Sequence, residues 1–347
     1  GPPDAPTSYA AEGEAIDIGF AASGAAPGVT GLSAKVQADE RGGSAKLGGR
    51  AMTVSLPQAH ASPIALDSLA GTVRWRLAGT DSEVALDGVS FANADLAGSA
   101  SGAWRPAKAG PGVVDLKAEF TRADARGLQR YLPAGLDPAV RDWLREALVA
   151  GATNDARLVL KGDLAQFPFA DPKQGTFSLA IRVQRATLAY APGWPAITDL
   201  AADVRFDGAR LAIDASTGRI YGAQIGRTKI AIDNLLADVA HLKVDGEASG
   251  PTAEFLHFVE TSPVAAWTGH ALDGAQATGN GALRLRFDLP LSRPGEVAVA
   301  GEYALATNQL RLPGVPVLSQ VDGKVAFTEQ GTTARDLAAE VYGGPAK

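Results

Sequence analysis

Apolar and polar residues alternate with a period of two over most of this chain, and the alternating segments recur in long internal copies. Leu69-Ala70-Gly71-Thr72-Val73-Arg74-Trp75, Leu200-Ala201-Ala202-Asp203-Val204-Arg205-Phe206 and Val321-Asp322-Gly323-Lys324-Val325-Ala326-Phe327 are versions of one segment, 131 and 121 residues apart (200 − 69 and 321 − 200). Two helix openings repeat as well: Asp137-Pro138 leads to Trp143 and Ser262-Pro263 leads to Trp267, an offset of 125 (263 − 138). Alternation sets one side of a strand against something apolar and the other in water, the habit of antiparallel sheets. Repetition on this scale predicts an extended, modular protein that grows by adding units, and not a single catalytic pocket.

The strand pattern is clearest at Phe177/Leu179/Ile181/Val183, Leu283/Leu285/Phe287/Leu289 and Val114/Leu116/Ala118/Phe120, and it runs through Ile16/Ile18/Phe20 and Leu32/Ala34/Val36/Ala38. Asp87-Gly88, Asp207-Gly208 and Asp245-Gly246 favour tight hairpins. The Pro-Gly-Trp-Pro run at 192–195 and its echo Pro-Gly-Val-Pro at 313–316 read as rigid strand connections, while residues 1–12, 21–29 and 105–112 read as termini or loops. Two regions predict helix. In the first, Val140, Trp143, Leu144, Ala147 and Leu148 form one apolar stripe, with Asp137 as cap, Pro138 in the first turn and Gly151 at the stop; Asp124 is placed to cap a shorter helix before it, carrying Leu128 and Tyr131. The second runs from Pro251 through Phe255, Phe258 and Val259 and restarts at Ser262-Pro263. Trp143, Leu144 and Trp267 are expected to anchor these helices to a sheet, with a cap over an apolar opening as the sharper alternative. Three continuous repeat units are expected, over residues 1–120, 121–247 and 248–347.

The apolar share is an ordinary 46%, but Gly alone numbers 40 and aromatics are 6%, so the strands are lined by small residues. Two short helices cannot cover so many half-apolar strands. Either two sheets pack face to face, or one curved sheet shields an apolar concavity; periodicity does not choose between them. The net charge of −6, with basic residues scattered singly, argues against nucleic acid and against an anionic membrane surface as partners. Without cysteine there are no disulfides, thiolate metal sites or thiol nucleophiles. No apolar run is long enough to span a bilayer and no signal peptide is visible. Gly1-Pro2-Pro3 reads as a protease-site remnant and Tyr342-Gly343-Gly344 parallels Tyr221-Gly222-Ala223, so the chain is expected to be an internal piece of something longer.

A search for chemistry returns nothing that specifies a reaction. His60, His241, His257 and His270 share no ligand spacing, and metalloprotease, nucleophile-elbow and phosphate-loop motifs are missing. Acid pairs such as Asp81 with Glu83, or Asp203 with Asp207, fall on alternating polar faces, where a solvated carboxylate is expected. No catalytic residue, metal or cofactor is predicted.

One series of spaced elements does point somewhere: Tyr131-Leu132-Pro133, Trp143-Leu144, Gly151, Leu158-Val159-Leu160-Lys161-Gly162, Phe167-Pro168-Phe169, Gly175-Thr176-Phe177, Tyr190, Trp194-Pro195, Phe206, Pro290-Leu291 and Asn308 to Pro313. In order and spacing it resembles the middle of YhdP proteins, large mostly-β members of the AsmA-like group of Gram-negative bacteria, over roughly residues 120–345. The resemblance implies a bridge-like lipid-transfer protein, anchored in the inner membrane by a helix outside this segment, with a long periplasmic β-groove through which phospholipid moves toward the outer membrane and supports its barrier. It implies no catalytic residue. On this reading the chain is mainly β, a long curved antiparallel sheet forming a groove from repeated units with a few short helices. The groove lining falls on Phe177, Leu179, Ile181, Val183, Val204, Phe206, Leu283, Leu285, Phe287, Val325 and Phe327. Arg182, Arg284 and Arg286 keep the exterior wet, and the ligand is a phospholipid or another acyl chain. The rival expectation is a β-sandwich or solenoid scaffold of the envelope with no lipid path; a carbohydrate-binding β protein is disfavoured by the few aromatics.

Overall fold

The computed structural model describes residues 8–23, 28–56, 62–133 and 135–346. The Gly1-Pro2-Pro3 reading and His60 lie outside the described residues. Within them the chain is mainly β. Its strands, all in one antiparallel sheet of nineteen, are β1 (Ala10–Phe20), β2 (Gly28–Asp39), β3 (Gly42–Ser55), β4 (Ile64–Arg76), β5 (Glu83–Ala92), β6 (Leu96–Arg105), β7 (Val113–Asp124), β8 (Leu148–Thr153), β9 (Ala156–Asp163), β10 (Gly175–Leu188), β11 (Ile197–Asp207), β12 (Arg210–Ile220), β13 (Ala223–Ile232), β14 (His241–Pro251), β15 (Gln276–Pro290), β16 (Ala298–Arg311), β17 (Leu318–Thr328), β18 (Gly331–Val341) and β19 (Gly344–Ala346). The helices are α1 (Pro138–Ala147), α2 (Thr252–Glu260) and α3 (Val264–Trp267), with a 3-10 segment over Ala125–Tyr131. Of the two arrangements left open by periodicity, the single sheet is the one present.

Contacts divide the chain into two units: Gly1–Arg145 with Ala152–Arg182 and Phe206–Ala209, and Glu146–Gly151 with Val183–Arg205 and Arg210–Lys347. In the first, each strand from β1 to β7 pairs antiparallel with the next, and β7 pairs with β9, which pairs with β10. Its most buried patch is Leu32, Met52 and Leu66, with Val29, Val54, Ile64, Leu69 and Phe91 packed around them. The 3-10 segment is tied to the sheet by Asn93, whose Nδ2 donates to the Ala65 carbonyl (2.7 Å) and the Tyr131 hydroxyl (2.8 Å), while Arg130 pairs with Asp95. Asp124 caps that segment, accepting from the Arg126 backbone N–H.

In the second unit β12 to β19 form the same kind of meander. Helix α2 begins directly on the end of β14 and is held by a buried polar chain. The Tyr303 hydroxyl donates to Thr252 Oγ1 (3.0 Å), which donates to Asn308 Oδ1 (2.5 Å); Asn308 Nδ2 donates to the Asn280 and Ala306 carbonyls at 2.8 and 3.1 Å. Asn308 is 1% exposed and Val321, its cross-strand partner, 0%, so the sheet is sealed at this place. The repeat is written into the backbone here. Left-handed residues recur at equivalent places, Arg185 and Thr307 and Asp199 and Gln320 within strands, Tyr221 and Tyr342 in the turns after β12 and β18, at offsets of 122, 121 and 121 (307 − 185, 320 − 199, 342 − 221). The Pro-Gly-Trp-Pro and Pro-Gly-Val-Pro runs connect β10 to β11 and β16 to β17, as expected.

Several local expectations are corrected. Of the three Asp-Gly pairs only Asp207-Gly208 makes a hairpin turn. Asp87-Gly88 lies inside β5, where Gly88 takes φ 60° at a register shift and Asp87 pairs with Arg74. Asp245-Gly246 lies inside β14: Asp245 meets Arg286 (2.9 Å), and Gly246 makes room for the Thr228 side chain, which would stand 2.6 Å from an added Cβ. Asp137 caps α1 as expected, its Oδ1 accepting from Ala139 N–H at 2.8 Å, but the helix ends at Ala147 because Leu148 starts β8, and Gly151 falls within that strand. Strand β1 already begins at Ala10 and β2 at Gly28, within segments expected to be termini or loops. Trp143 and Trp267 are 47% and 67% exposed, and the Trp267 ring stands 5.6 Å from Trp194; Ala147, Thr252 and Ala265 are buried and Leu144 part-buried.

Candidate functional site: the apolar face of the sheet

Side chains directly opposite each other in an antiparallel ladder share a face, so the register sorts every strand residue. In the first unit one row reads Val36, Ala45, Val73, Leu86, Gly102, Leu116, Leu160, Phe177 across eight strands. A row on the same face reads Leu32, Gly49, Leu69, Phe91, Gly98, Phe120, Ala156, Ile181. The next row over, on the opposite face, reads Gln37, Ser44, Arg74, Ala85, Ala103, Asp115, Lys161, Thr176, and there Lys161 meets Asp115 at 2.9 Å.

The second unit repeats the separation. Ile213, Ile230, Val244, Phe287 and Val299 form one row; Gly246, Leu285, Gly301 and Phe327 the next; Ile225, Ala248, Leu283, Tyr303 and Val325 a third. The opposite face carries Asp214, Lys229, Asp245 and Arg286, then Glu247, Arg284 and Glu302, with Lys324 at 2.9 Å from Glu302. Its carboxylates face cations, and the Lys324 ammonium beside Glu302 holds that carboxyl below its ordinary range. Exposed pairs of this sort add little stability; they keep the face wet.

All eleven residues expected as lining are part-exposed, none buried. The structure brings Phe177, Leu179 and Ile181 together with Leu160, Leu158 and Ala156 across β9, and the Phe177 ring lies 5.0 Å from Phe167 and 6.3 Å from Phe206. It sets Leu283, Leu285, Phe287, Val325 and Phe327 on one face of the second unit, while Val183 and Val204 sit part-exposed on β10 and β11. Apolar side chains that are neither buried nor fully exposed mark a face with incomplete cover.

Cover is local and aromatic. In the second unit α2 reaches the apolar face through Phe255, whose ring stands 4.9 Å from Tyr303. Beside it Trp194 gathers Tyr190, Phe258 and Trp267 at 6.0, 5.9 and 5.6 Å. Burial pushes the Tyr190 phenol up to about 12, with a lesser contribution from Tyr221, and burial likewise raises Tyr303. The expectation missed Leu116, Phe120, Leu160, Tyr303 and Val244, which stand in the same rows. Each alternates correctly in its own strand, so the signal was present; what was missing was the cross-strand pairing that sorts them.

Fold and face define a class: a repetitive single-sheet β protein, apolar and part-open on one side, charged on the other. The chain belongs to the YhdP family, whose model, described as YhdP protein, matches residues 3–347. It is 28% identical over 240 residues to the Intermembrane phospholipid transporter YhdP of Escherichia coli (strain K12), an alignment covering 67% of this chain and 18% of that protein. The chain thus spans less than a fifth of the length of the curated relative it matches. No solved structure matches it.

Proposed function

We propose that this chain is a segment of a periplasmic, bridge-like phospholipid transporter, in which the apolar face carries acyl chains between inner and outer membrane and so supports the outer-membrane barrier. The observation that carries the reading is the set of part-exposed apolar rows in each unit, with Phe177, Leu179, Ile181, Val183, Val204 and Phe206 on β10 and β11, and Leu283, Leu285, Phe287, Val325 and Phe327 across β15 and β17. Such rows would bind acyl chains without a site in the ordinary sense. Each methylene removed from water contributes about 0.8 kcal/mol, so a few contacts per strand retain a chain. Because one apolar strand position resembles the next, a sliding chain exchanges equivalent contacts and meets low barriers. The wet face, lined by Arg182, Arg284 and Arg286, keeps the exterior soluble. No helix among the described residues is long and apolar enough to cross a membrane; on this reading the full-length protein is anchored to the inner membrane. On this reading the protein performs no covalent chemistry.

The test is photo-crosslinking from a benzophenone residue at Leu285 or Leu179, and at Arg286 on the opposite face, followed by mass spectrometry of attached lipid after expression in a Gram-negative periplasm. Phospholipid adducts from Leu285 and Leu179 but not from Arg286 support transport along the apolar face. Equal labelling, or none anywhere, leaves the scaffold reading in its place.

A further inference from the structure

Several glycines of the apolar face have an aromatic or sulfur-bearing side chain lying directly over them. A Cβ built on Gly301 would meet Phe327 Cζ, Cε2 and Cε1 at 2.1, 2.5 and 2.6 Å, and one on Gly281 would meet the Tyr303 Oη, Cζ and Cε1 at 2.1, 2.3 and 2.7 Å. In the first unit a Cβ on Gly43 would come within 2.6 Å of Trp75 Cζ2, and one on Gly49 within 2.1 Å of Met52 Sδ. None of these four glycines has a left-handed φ, so the backbone there does not call for glycine. At Gly301, Gly281 and Gly49 what calls for it is the neighbouring side chain, and at Gly43 the Gln37 carbonyl, also 2.6 Å from the added Cβ, calls for it together with Trp75. Gly301 and Phe327 are direct cross-strand partners, and Gly43 and Trp75 likewise; the ring leaves its own strand and lies down on the bare backbone opposite.

We infer that these glycines set the free depth of the apolar face, by letting large side chains lie flat along the sheet where a neighbour with a Cβ would force them upright. This deepens the transport reading and rests on it. The Phe327 ring on Gly301 offers its flat side to the open face and adds apolar area for an acyl chain without obstructing it, whereas the Tyr303 ring on Gly281 lies beneath Phe255 of α2. A side chain at position 301 claims the volume of the ring's far edge, and since van der Waals overlap of this size is not tolerated, Phe327 must rotate away from the sheet and into the space above it. The face therefore narrows at that strand although its composition becomes more apolar. Composition and capacity change in opposite directions here, which is what separates this role from general hydrophobicity.

The experiment compares Gly301→Val, Phe327→Ala and the double variant Gly301→Val/Phe327→Ala with the unaltered chain, each expressed in a Gram-negative periplasm, checked for fold by far-UV circular dichroism, and measured for co-purifying phospholipid by native mass spectrometry and for binding of a fluorescent phosphatidylethanolamine. Gly301→Val is expected to lower apparent affinity about tenfold, equivalent to losing contact with roughly two methylenes; Phe327→Ala, which takes apolar area from the lining, lowers it about threefold, and the double variant recovers about threefold over Gly301→Val because the ring no longer stands in the face. Valine suits a strand, so the single variant is expected to fold; should it not, the double variant, relieved of the clash, folds and binds if the inference holds. A folded Gly301→Val with undiminished lipid, or a double variant that fails to recover it, overturns the inference and leaves transport standing. An unaltered chain that neither carries nor binds phospholipid overturns the transport reading itself, and this inference with it.

Discussion

Replacing Leu285 with Asp asks directly whether the apolar face is open. Leu285 is part-exposed; its direct partners are Gly246 on β14 and Gly301 on β16, over which the Thr228 side chain and the Phe327 ring lie, so it is flanked but still reaches water. A fully buried leucine side chain contributes about 1.5–3 kcal/mol; at partial exposure beside glycines about 1 kcal/mol is a reasonable share, and an aspartate there keeps its carboxylate in water. Val321 supplies the contrast. It is 0% exposed, opposite Asn308, and Val321→Asp introduces a carboxylate without a partner into a sealed place, a change expected to cost about 3 kcal/mol or more. Urea unfolding followed by far-UV circular dichroism should therefore show a small midpoint shift for Leu285→Asp and a large one for Val321→Asp. Lipid content should move the other way: Leu285→Asp folds but loses bound phospholipid, because an acyl chain crossing it must strip water from a charge. If Leu285→Asp unfolds as readily as Val321→Asp, the face is a sealed core and the open-face reasoning is wrong.

Two further outcomes follow from the polar and aromatic cover of the second unit. Asn308→Ala leaves the Thr252 hydroxyl and the Asn280 and Ala306 carbonyls without their partner, so it should destabilise by about 2 kcal/mol and raise hydrogen exchange over Thr252–Glu260 before it affects the first unit. Tyr190 should ionise near 12 in a phenolate absorbance titration. Its folded value lies above the ordinary 10, so its contribution to stability is complete below pH 10 and is lost as pH rises toward 12; Trp194→Ala, which opens the cluster, should bring the value back down.

Much of the local structure was legible because strand period and helix capping are properties of adjacent residues. Phe177 to Val183 and Leu283 to Leu289 announce their strands by alternation alone, and Asp137-Pro138 announces α1 through a side chain that bonds two residues onward. The misses share a cause. Asp87-Gly88 and Asp245-Gly246 carry a hairpin signal as dipeptides, yet Arg74, Arg286 and Thr228, all on neighbouring strands, give those residues better use inside a ladder.

The sequence by itself determined that this protein is built from strands with one greasy and one charged side, repeated at intervals near 120 residues and punctuated by two helical regions. Period, composition and spacing travel along the chain and need no partner to be read. Only the tertiary structure decided that the strands form one sheet and not two, which side chains stand in one row, and that rings such as Phe327 lie on glycines of the next strand. Those outcomes depend on register and on contacts between residues far apart in the chain, where a shift of a single position would exchange the two faces.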